Sequence, residues 1–199
     1  MSADKAPLIL ASTSPYRRLL LERLKLPFSA EAPGVPEAAH AGEAPGPLAL
    51  RLARAKAAAV AERHPGAIVI GSDQVAECQG RVLGKPGGPE RAREQLALAS
   101  GTTVVFHTAV ALAHADGVTV ETHTDLTRVR FRRLGAAEIA RYVALDEPYD
   151  CAGSFRSEGL GVALFEAVEN EDPTGLVGLP LVWLAGALAR AGLSALGAR

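Results

Sequence analysis

The segment LILASTSPYRRLLLERL, from Leu8 to Leu24, joins a short apolar run to a longer apolar repeat through the polar stretch Ser12–Pro15. Four successive apolar residues followed by a turn signal are typical of a buried strand. Ser14 and Pro15 are the residue types favoured at a helix N-cap and first helical position, so a helix is predicted over 14–26. A helix start offers free N–H groups to an anion, although a capped surface helix explains the same pattern.

The composition predicts one soluble domain. The chain has 199 residues, of which 48% are hydrophobic and 22% are charged, which suffices for a hydrophobic core. The net charge of −1 argues against a general affinity for nucleic acid or an anionic membrane. Cys78 and Cys151 lack metal-like spacing, and no signal peptide or membrane-length apolar run is apparent. We therefore expect a cytoplasmic protein that binds neither nucleic acid nor membrane.

The alternation of apolar patterns predicts a mixed α/β fold with a twisted central sheet and flanking helices. Residues 67–73 read as a buried strand that ends in a polar triplet, and a hairpin is expected to turn at Gln79–Gly80. Two long β-rich runs are joined by a second hairpin signal at 115–117, which argues against a purely parallel sheet. Further helices are predicted over 48–63, 90–100, 136–145 and 178–193.

Asp73 is the first candidate for chemistry, because α/β enzymes place catalytic groups at the ends of buried strands. It would serve as a metal ligand or a general base, but a turn aspartate that caps the next segment fits equally well. Glu37 lies in a loop rich in proline and glycine, and Glu158 lies in the glycine-rich run Gly153–Gly161. A solvent-exposed glutamate is the alternative for Glu37. The glycines around Glu158 would let the backbone approach a ligand closely, and a loop with a bulge is the alternative there.

Lysine is scarce in this chain, with four lysines against 17 arginines. Lys56 lies on a predicted helix and Lys85 in the GKP turn. Because lysine is scarce, these two are less readily explained as ordinary solvated surface residues. Together with the acidic residues, Arg17 and a helix N-terminus, they suit a polyphosphate bound with Mg²⁺. No P-loop or GxGxxG motif occurs in the required context.

The motifs LASTSPYRR, ARAKA, VIGSDQV, LGKP and GSFRSEG, in this order, resemble the Maf family of nucleotide pyrophosphatases. The resemblance extends from about Leu8 to Ala191 and implies a single Maf-like domain over 1–199 with flexible termini. It also implies an ITPase-like fold with two lobes around a deep cleft. SPYR, SDQ and SEG match the subfamily that acts on 7-methyl-GTP, whereas the dTTP/UTP subfamily typically has SPRR, ADT and IQG.

The resemblance implies hydrolysis of 7-methyl-GTP to 7-methyl-GMP and pyrophosphate with a divalent metal, Mg or Mn, and is compatible with a homodimer. Asp73 corresponds to the proton acceptor, and Glu37 with Asp73 to the carboxylates at the metal. The groups expected to bind phosphate are Ser14, Arg17, Lys56 and Lys85. The family usually has an aspartate where this chain has Pro36, so metal binding here is expected to be weaker or differently arranged.

Three residues match the specificity positions of the family: Tyr16, Gln74 and Glu158. Methylation at N7 makes guanine cationic, and a tyrosine in place of arginine removes a repelling charge and offers a π face. A carboxylate at Glu158 can accept hydrogen bonds from both N1–H and N2–H₂ of the guanine edge. These two features are expected to favour 7-methyl-GTP.

Two alternatives remain open from the sequence. One is a pyrophosphatase for dTTP, UTP or another modified nucleotide. The other is a non-catalytic nucleotide-binding regulator of septum formation. Retention of Asp73 and both motif lysines argues against the second, since a protein that only binds needs no proton acceptor.

Overall fold

The computed structural model describes residues 6–116 and 120–197. Within them, seven strands form one sheet: Leu8–Ala11 (β1), Ser29–Ala30 (β2), Ile68–Cys78 (β3), Arg81–Leu83 (β4), Thr103–Ala113 (β5), Val120–Phe131 (β6) and Phe165–Glu169 (β7). The α-helices are Pro15–Glu22 (α1), Pro45–Ala61 (α2), Pro89–Ala99 (α3), Ala136–Asp146 (α4) and Leu181–Arg190 (α5). Gly117 of the predicted second hairpin turn lies outside the described residues, as do 1–5 and 198–199 of the termini predicted to be flexible.

The sheet is mixed, which confirms the predicted fold class. Its strand order is β2–β1–β3–β5–β6–β7, and β4 pairs with β3 beside this path. Strand β1 is parallel to both β2 and β3, whereas the β3–β4 and β6–β7 pairs are antiparallel. None of the helices in the described part of the chain is long and apolar enough to cross a membrane.

The described residues divide into two compact units. The first contains 6–73, 108–116, 120–124 and 172–197, and the second contains 74–107 and 125–171. Strands β3, β5 and β6 contribute residues to both units.

The core of the first unit forms where apolar residues of β1, α1 and α5 meet. Leu10, Leu21, Leu184 and Leu188 are all fully buried there. Burial of such a side chain contributes about 1.5–3 kcal/mol. Helix α1 begins where the sequence predicts, with Ser14 as N-cap: its Oγ accepts a hydrogen bond from the backbone N–H of Arg17 at 3.4 Å. The core thus fixes the N-terminus of α1 beside the end of β1.

The second unit has an aromatic core made by four phenylalanines. Phe155 packs edge-to-face on Phe106, Phe131 and Phe165, with ring centroids 4.8–5.5 Å apart. Such edge-to-face pairs are favoured by the quadrupoles of the rings. They anchor the short helical turn Ala152–Ser154, which overlaps the start of the glycine-rich run Gly153–Gly161.

The prediction that the strand ends at Asp73 is wrong. Strand β3 continues to Cys78, so Asp73 lies in its middle. The continuation is stabilised by β4, which pairs with β3 through the register Ala76↔Leu83 and Cys78↔Arg81. The hairpin between them turns at Gln79–Gly80, as predicted, and both residues have positive φ, at 51° and 75°. Two positive φ angles give the turn the twist that a two-residue hairpin needs.

Gly71 lets α2 lie directly on β3. A Cβ at this position would stand 2.2 Å from the carbonyl oxygen of Ala53 and 2.5 Å from the amide nitrogen of Ala57. Both atoms belong to the backbone of α2, so neither can move without displacing the helix. Since Ala53 and Ala57 flank Lys56, this close contact sets how near Lys56 comes to β3.

We expect Gly71→Ala to lower the free energy of unfolding by about 3 kcal/mol, because the new methyl group overlaps the α2 backbone. Chemical denaturation measures this loss. The matched control is Gly186→Ala in α5, where the added Cβ would make only an ordinary contact, 3.5 Å from Arg190 Nη1. A control variant destabilised as much as Gly71→Ala would refute the close-packing explanation.

Candidate active site

Arg17 lies in the first turn of α1 and is held by one end of its guanidinium. Its Nε donates a hydrogen bond to the carbonyl oxygen of Gly178 at 2.9 Å. Its terminal nitrogens make no hydrogen bond or ion pair with any residue among 6–116 and 120–197. Burial lowers the pKa of Arg17, and the charges of Asp73 and Glu37 oppose that shift. An arginine stays protonated, so this half-buried guanidinium presents unused donors to an anion.

Lys56 is a buried lysine, only 4% exposed, on the face of α2 that packs against β3. Its Nζ lies 2.6 Å from Asp73 Oδ1. The small neighbours Ala53 and Ala57 bring the helix close to the strand, so the ammonium group meets the carboxylate directly. A buried lysine is rare unless it is paired, and Asp73 supplies the pairing charge.

Glu37 reaches the same ammonium group from the loop that precedes α2. Its Oε1 lies 2.5 Å from Lys56 Nζ, although the Glu37 side chain is 59% exposed. Lys56 therefore bridges one buried and one exposed carboxylate. Of the six residues that the sequence associated with phosphate and metal binding, these three meet at a single point in the first unit.

Asp73 is only 8% exposed, and its burial raises the pKa of its carboxyl. The charge of Glu37 raises that pKa further, whereas Lys56 and Arg17 lower it. The raised pKa makes Asp73 a stronger proton acceptor than an ordinary aspartate.

Glu37 and Asp73 suit a divalent cation whose remaining coordination positions are filled by oxygens of a bound ligand. Within the described residues, no three histidine, cysteine or acidic side chains group to hold a metal by themselves. However, both carboxylates already converge on one positive charge, that of Lys56. Mg²⁺ is commonly bound by one or two carboxylates together with substrate phosphates. The donor set therefore suits a metal that arrives with a phosphate ligand.

The other predicted residues include Tyr16, Gln74, Lys85 and Glu158. Tyr16 is half-buried in the first turn of α1. Gln74, Lys85 and Glu158 belong to the second unit, where Lys85 and Glu158 are exposed and Ser157 Oγ donates to Glu158 Oε2 at 3.0 Å. Their roles in phosphate binding or base specificity stay predictions.

Sequence reasoning missed three groups around Arg17 and Asp73. Ser12, which is buried, accepts a hydrogen bond on its Oγ from the backbone N–H of Ser14 at 3.1 Å and so supports the start of α1. The Oγ of Ser72 lies 2.8 Å from the carbonyl oxygen of Ala109 and 3.0 Å from that of Gly178. Both serines belong to the motifs quoted above. The Gly178 contact is made by a backbone carbonyl, which every residue type has, so the sequence does not indicate it.

We predict that the wild type loses stability relative to Asp73→Asn as pH rises, on top of a pH-independent difference set by the loss of the Lys56 partner in the variant. Because the pKa of Asp73 is raised on folding, the folded chain binds this proton at higher pH than the unfolded chain. The stability this confers is present at low pH and is lost as pH rises through the raised pKa. The stability difference between the two proteins should therefore shift in favour of the asparagine variant as pH rises from about 3.9, the ordinary pKa of aspartate.

Denaturation of both proteins between about pH 4 and pH 8 measures this difference. A stability difference that does not change with pH, or that shifts in favour of the wild type as pH rises, would contradict a raised pKa of Asp73.

The chain is similar to known proteins over almost all of its length. A family model described as Maf-like protein matches residues 7–191. A 7-methyl-GTP pyrophosphatase of Alkalilimnicola ehrlichii is 57% identical over 92% of each chain. A 7-methyl-GTP pyrophosphatase of Bordetella pertussis is 54% identical over 98% of each chain. A 7-methyl-GTP pyrophosphatase of Xanthomonas oryzae pv. oryzae is 57% identical over 93% of this chain and 96% of its own.

A likeness to a solved structure supports the fold. The structure of a HAM1 protein from Coxiella burnetii superposes with a TM-score of 0.50 at 17% identity, over 93% of this chain and 99% of that one. At this identity the likeness concerns the fold alone. The family match and the relatives agree with each other over the same residues, and the chain belongs to the Maf family.

Proposed function

We propose that this chain hydrolyses 7-methyl-GTP to 7-methyl-GMP and pyrophosphate. The relatives that bear the name 7-methyl-GTP pyrophosphatase are 54–57% identical over at least 92% of the chain, which supports this substrate. The observation that carries the chemistry is the buried Lys56–Asp73 contact, with the unused donors of Arg17 in the same unit. It combines a proton acceptor with groups that bind phosphate.

The triphosphate is proposed to bind at the N-terminus of α1. Free N–H groups and the positive end of the helix dipole favour an anion there, and Ser14 belongs to the same turn. Arg17 adds a planar set of donors that matches phosphate oxygens. Lys56 adds a charge that is already desolvated, so its attraction for phosphate is only weakly screened by solvent. Lys85 is proposed as a further phosphate-binding group from the second unit.

Asp73 is proposed as the general base. Its carboxylate takes a proton from water, and the water oxygen forms a bond to the α-phosphorus. The bond between that phosphorus and the oxygen bridging to the β-phosphate breaks, and pyrophosphate leaves with the electron pair. The raised pKa of Asp73 suits this proton transfer, and the cationic groups stabilise the charge on the phosphates.

A divalent cation, Mg or Mn, is proposed to be held by Glu37 and Asp73 together with substrate oxygens. When bound, it would neutralise negative charge on the triphosphate. Because Pro36 replaces a carboxylate usual in the family, fewer protein oxygens are available here, and binding is proposed to depend more strongly on the nucleotide.

The preference for a methylated guanine is assigned to Tyr16, Gln74 and Glu158. The ring of Tyr16 carries no charge to repel a cationic base and offers a π face to it. The carboxylate of Glu158 is exposed and accepts a hydrogen bond from Ser157, and it is proposed to accept hydrogen bonds from a guanine edge as well. A free nucleotide substrate also agrees with the net charge of −1, which gives no reason to expect nucleic acid.

The test is pyrophosphate release from 7-methyl-GTP, GTP, dTTP and UTP with Mg²⁺. We expect 7-methyl-GTP to have the highest kcat/KM and a chelator to abolish the reaction until Mg²⁺ or Mn²⁺ is restored. Asp73→Asn should lose about 100-fold or more in kcat, because the proton acceptor is gone. The control Asp116→Asn changes an exposed aspartate and should retain wild-type rates.

Preference for dTTP or UTP would refute the base-specificity assignment and leave the hydrolytic chemistry standing. Nucleotide binding without hydrolysis of any of the four would favour a regulator over an enzyme.

A further inference from the structure

We infer that Asp172 and Thr174 are positioning residues for Arg17, acting through the carbonyl group of Gly178. The segment 172–181, which we term the clamp, lies in the first unit together with Arg17. The consequence for catalysis rests on the proposed function, since it assumes that Arg17 binds the triphosphate.

Asp172 organises the clamp from one end. It is a buried carboxylate, 4% exposed. Its Oδ1 accepts hydrogen bonds from the backbone N–H of Thr174 at 2.9 Å and from Thr174 Oγ1 at 2.6 Å. Its Oδ2 accepts from the backbone N–H of Val182 at 2.7 Å, in the first turn of α5. One side chain thereby ties the start of the clamp to the helix that follows it.

Thr174 closes the clamp into a ring. Its Oγ1 accepts a hydrogen bond from the backbone N–H of Leu181 at 2.8 Å and also lies 2.9 Å from the carbonyl oxygen of Leu179. The single hydroxyl proton is shared between Leu179 and Asp172. Residues five and seven positions further along are thus drawn back to Thr174, and Gly178 lies inside the loop so formed.

The clamp is also fastened to its surroundings. Thr108 Oγ1, on β5 and fully buried, donates to the carbonyl oxygen of Gly175 at 3.0 Å. The backbone N–H of Gly178 donates to the same carbonyl at 2.9 Å. Gly178 has φ = 121°, a conformation that disfavours residues with a Cβ. The orientation of its carbonyl group is therefore imposed by the whole ring.

That carbonyl is the group that holds Arg17. It accepts from Arg17 Nε at 2.9 Å and lies 3.0 Å from Ser72 Oγ. An arginine side chain has many rotamers, and a fixed Nε reduces them to those that aim the two terminal nitrogens in one direction. If the clamp no longer fixes the Gly178 carbonyl, the guanidinium of Arg17 should lose its orientation towards an anion.

The direct test is the rate of hydrogen exchange with solvent at Arg17 Nε, measured by NMR on the ligand-free protein. The resonance is assigned by its disappearance in Arg17→Lys. We expect slow exchange in the wild type and at least about tenfold faster exchange in Thr174→Val, which cannot close the ring. Thr174→Ser keeps the hydroxyl and should restore slow exchange. Equal exchange in wild type and Thr174→Val overturns the inference, whether or not any nucleotide is hydrolysed.

A kinetic cycle tests the link to the proposed function. Thr174→Val should lower kcat/KM for 7-methyl-GTP about tenfold in the wild type but less than about twofold in an Arg17→Ala background, because the two changes remove the same interaction. Equal losses in both backgrounds overturn the link between clamp and Arg17. A wild type that hydrolyses no nucleotide refutes the proposed function instead, and the exchange measurement still decides the positioning role.

Thermal unfolding of Thr174→Val and of a matched control shows whether faster exchange at Arg17 comes from general destabilisation or from misalignment of Arg17. The matched control is Thr102→Val, which removes another hydroxyl, bonded to the carbonyl oxygen of Ala99 at 2.9 Å, outside the clamp. Faster exchange at Arg17 in this control would mean that general destabilisation, and not the clamp, governs the arginine.

Discussion

The contact between Lys56 and Asp73 is the interaction on which the candidate site depends. Two opposite charges lie 2.6 Å apart on the face where α2 packs against β3, and both side chains are almost fully buried. Removing two charges from water carries a large desolvation cost, and the attraction between them need not repay it. The raised pKa of Asp73 indicates that desolvation outweighs pairing at this carboxyl. A pair of this kind is better explained by chemistry than by stability.

The rest of the first unit serves to bring this pair and Arg17 into place. Gly71 allows the α2 backbone to lie against β3, and the buried leucines of β1, α1 and α5 fix the start of α1. The carbonyl group of Gly178 then holds Arg17 by its Nε. Glu37 reaches the cluster from an exposed loop, which agrees with the proposal that it binds a metal together with the nucleotide.

Much of the fold and part of the candidate site could be predicted from the sequence, because local sequence patterns determine these features. The N-cap Ser14 with Pro15 and the hairpin at Gln79–Gly80 follow from backbone preferences, and the structure confirms both. The predicted strand end at Asp73 is wrong because the polar triplet 71–73 is typical of a strand end, whereas β3 continues without a break into the predicted hairpin with β4. The motifs also contain Lys56 and Asp73, and the family resemblance implies Glu37; these three residues do meet in the structure. The clamp was missed, since its effect on Arg17 passes through backbone atoms.

The most direct measurement is the free energy of unfolding of Lys56→Met/Asp73→Leu at neutral pH, compared with the wild type and with Lys56→Met alone. If the buried pair exists for chemistry, the apolar double variant should be at least as stable as the wild type and should hydrolyse no nucleotide. The single variant leaves a buried carboxylate without its cation and should lose about 3–5 kcal/mol. A double variant less stable than the wild type by about 2 kcal/mol or more would show that the pair holds the fold together, and would contradict the account.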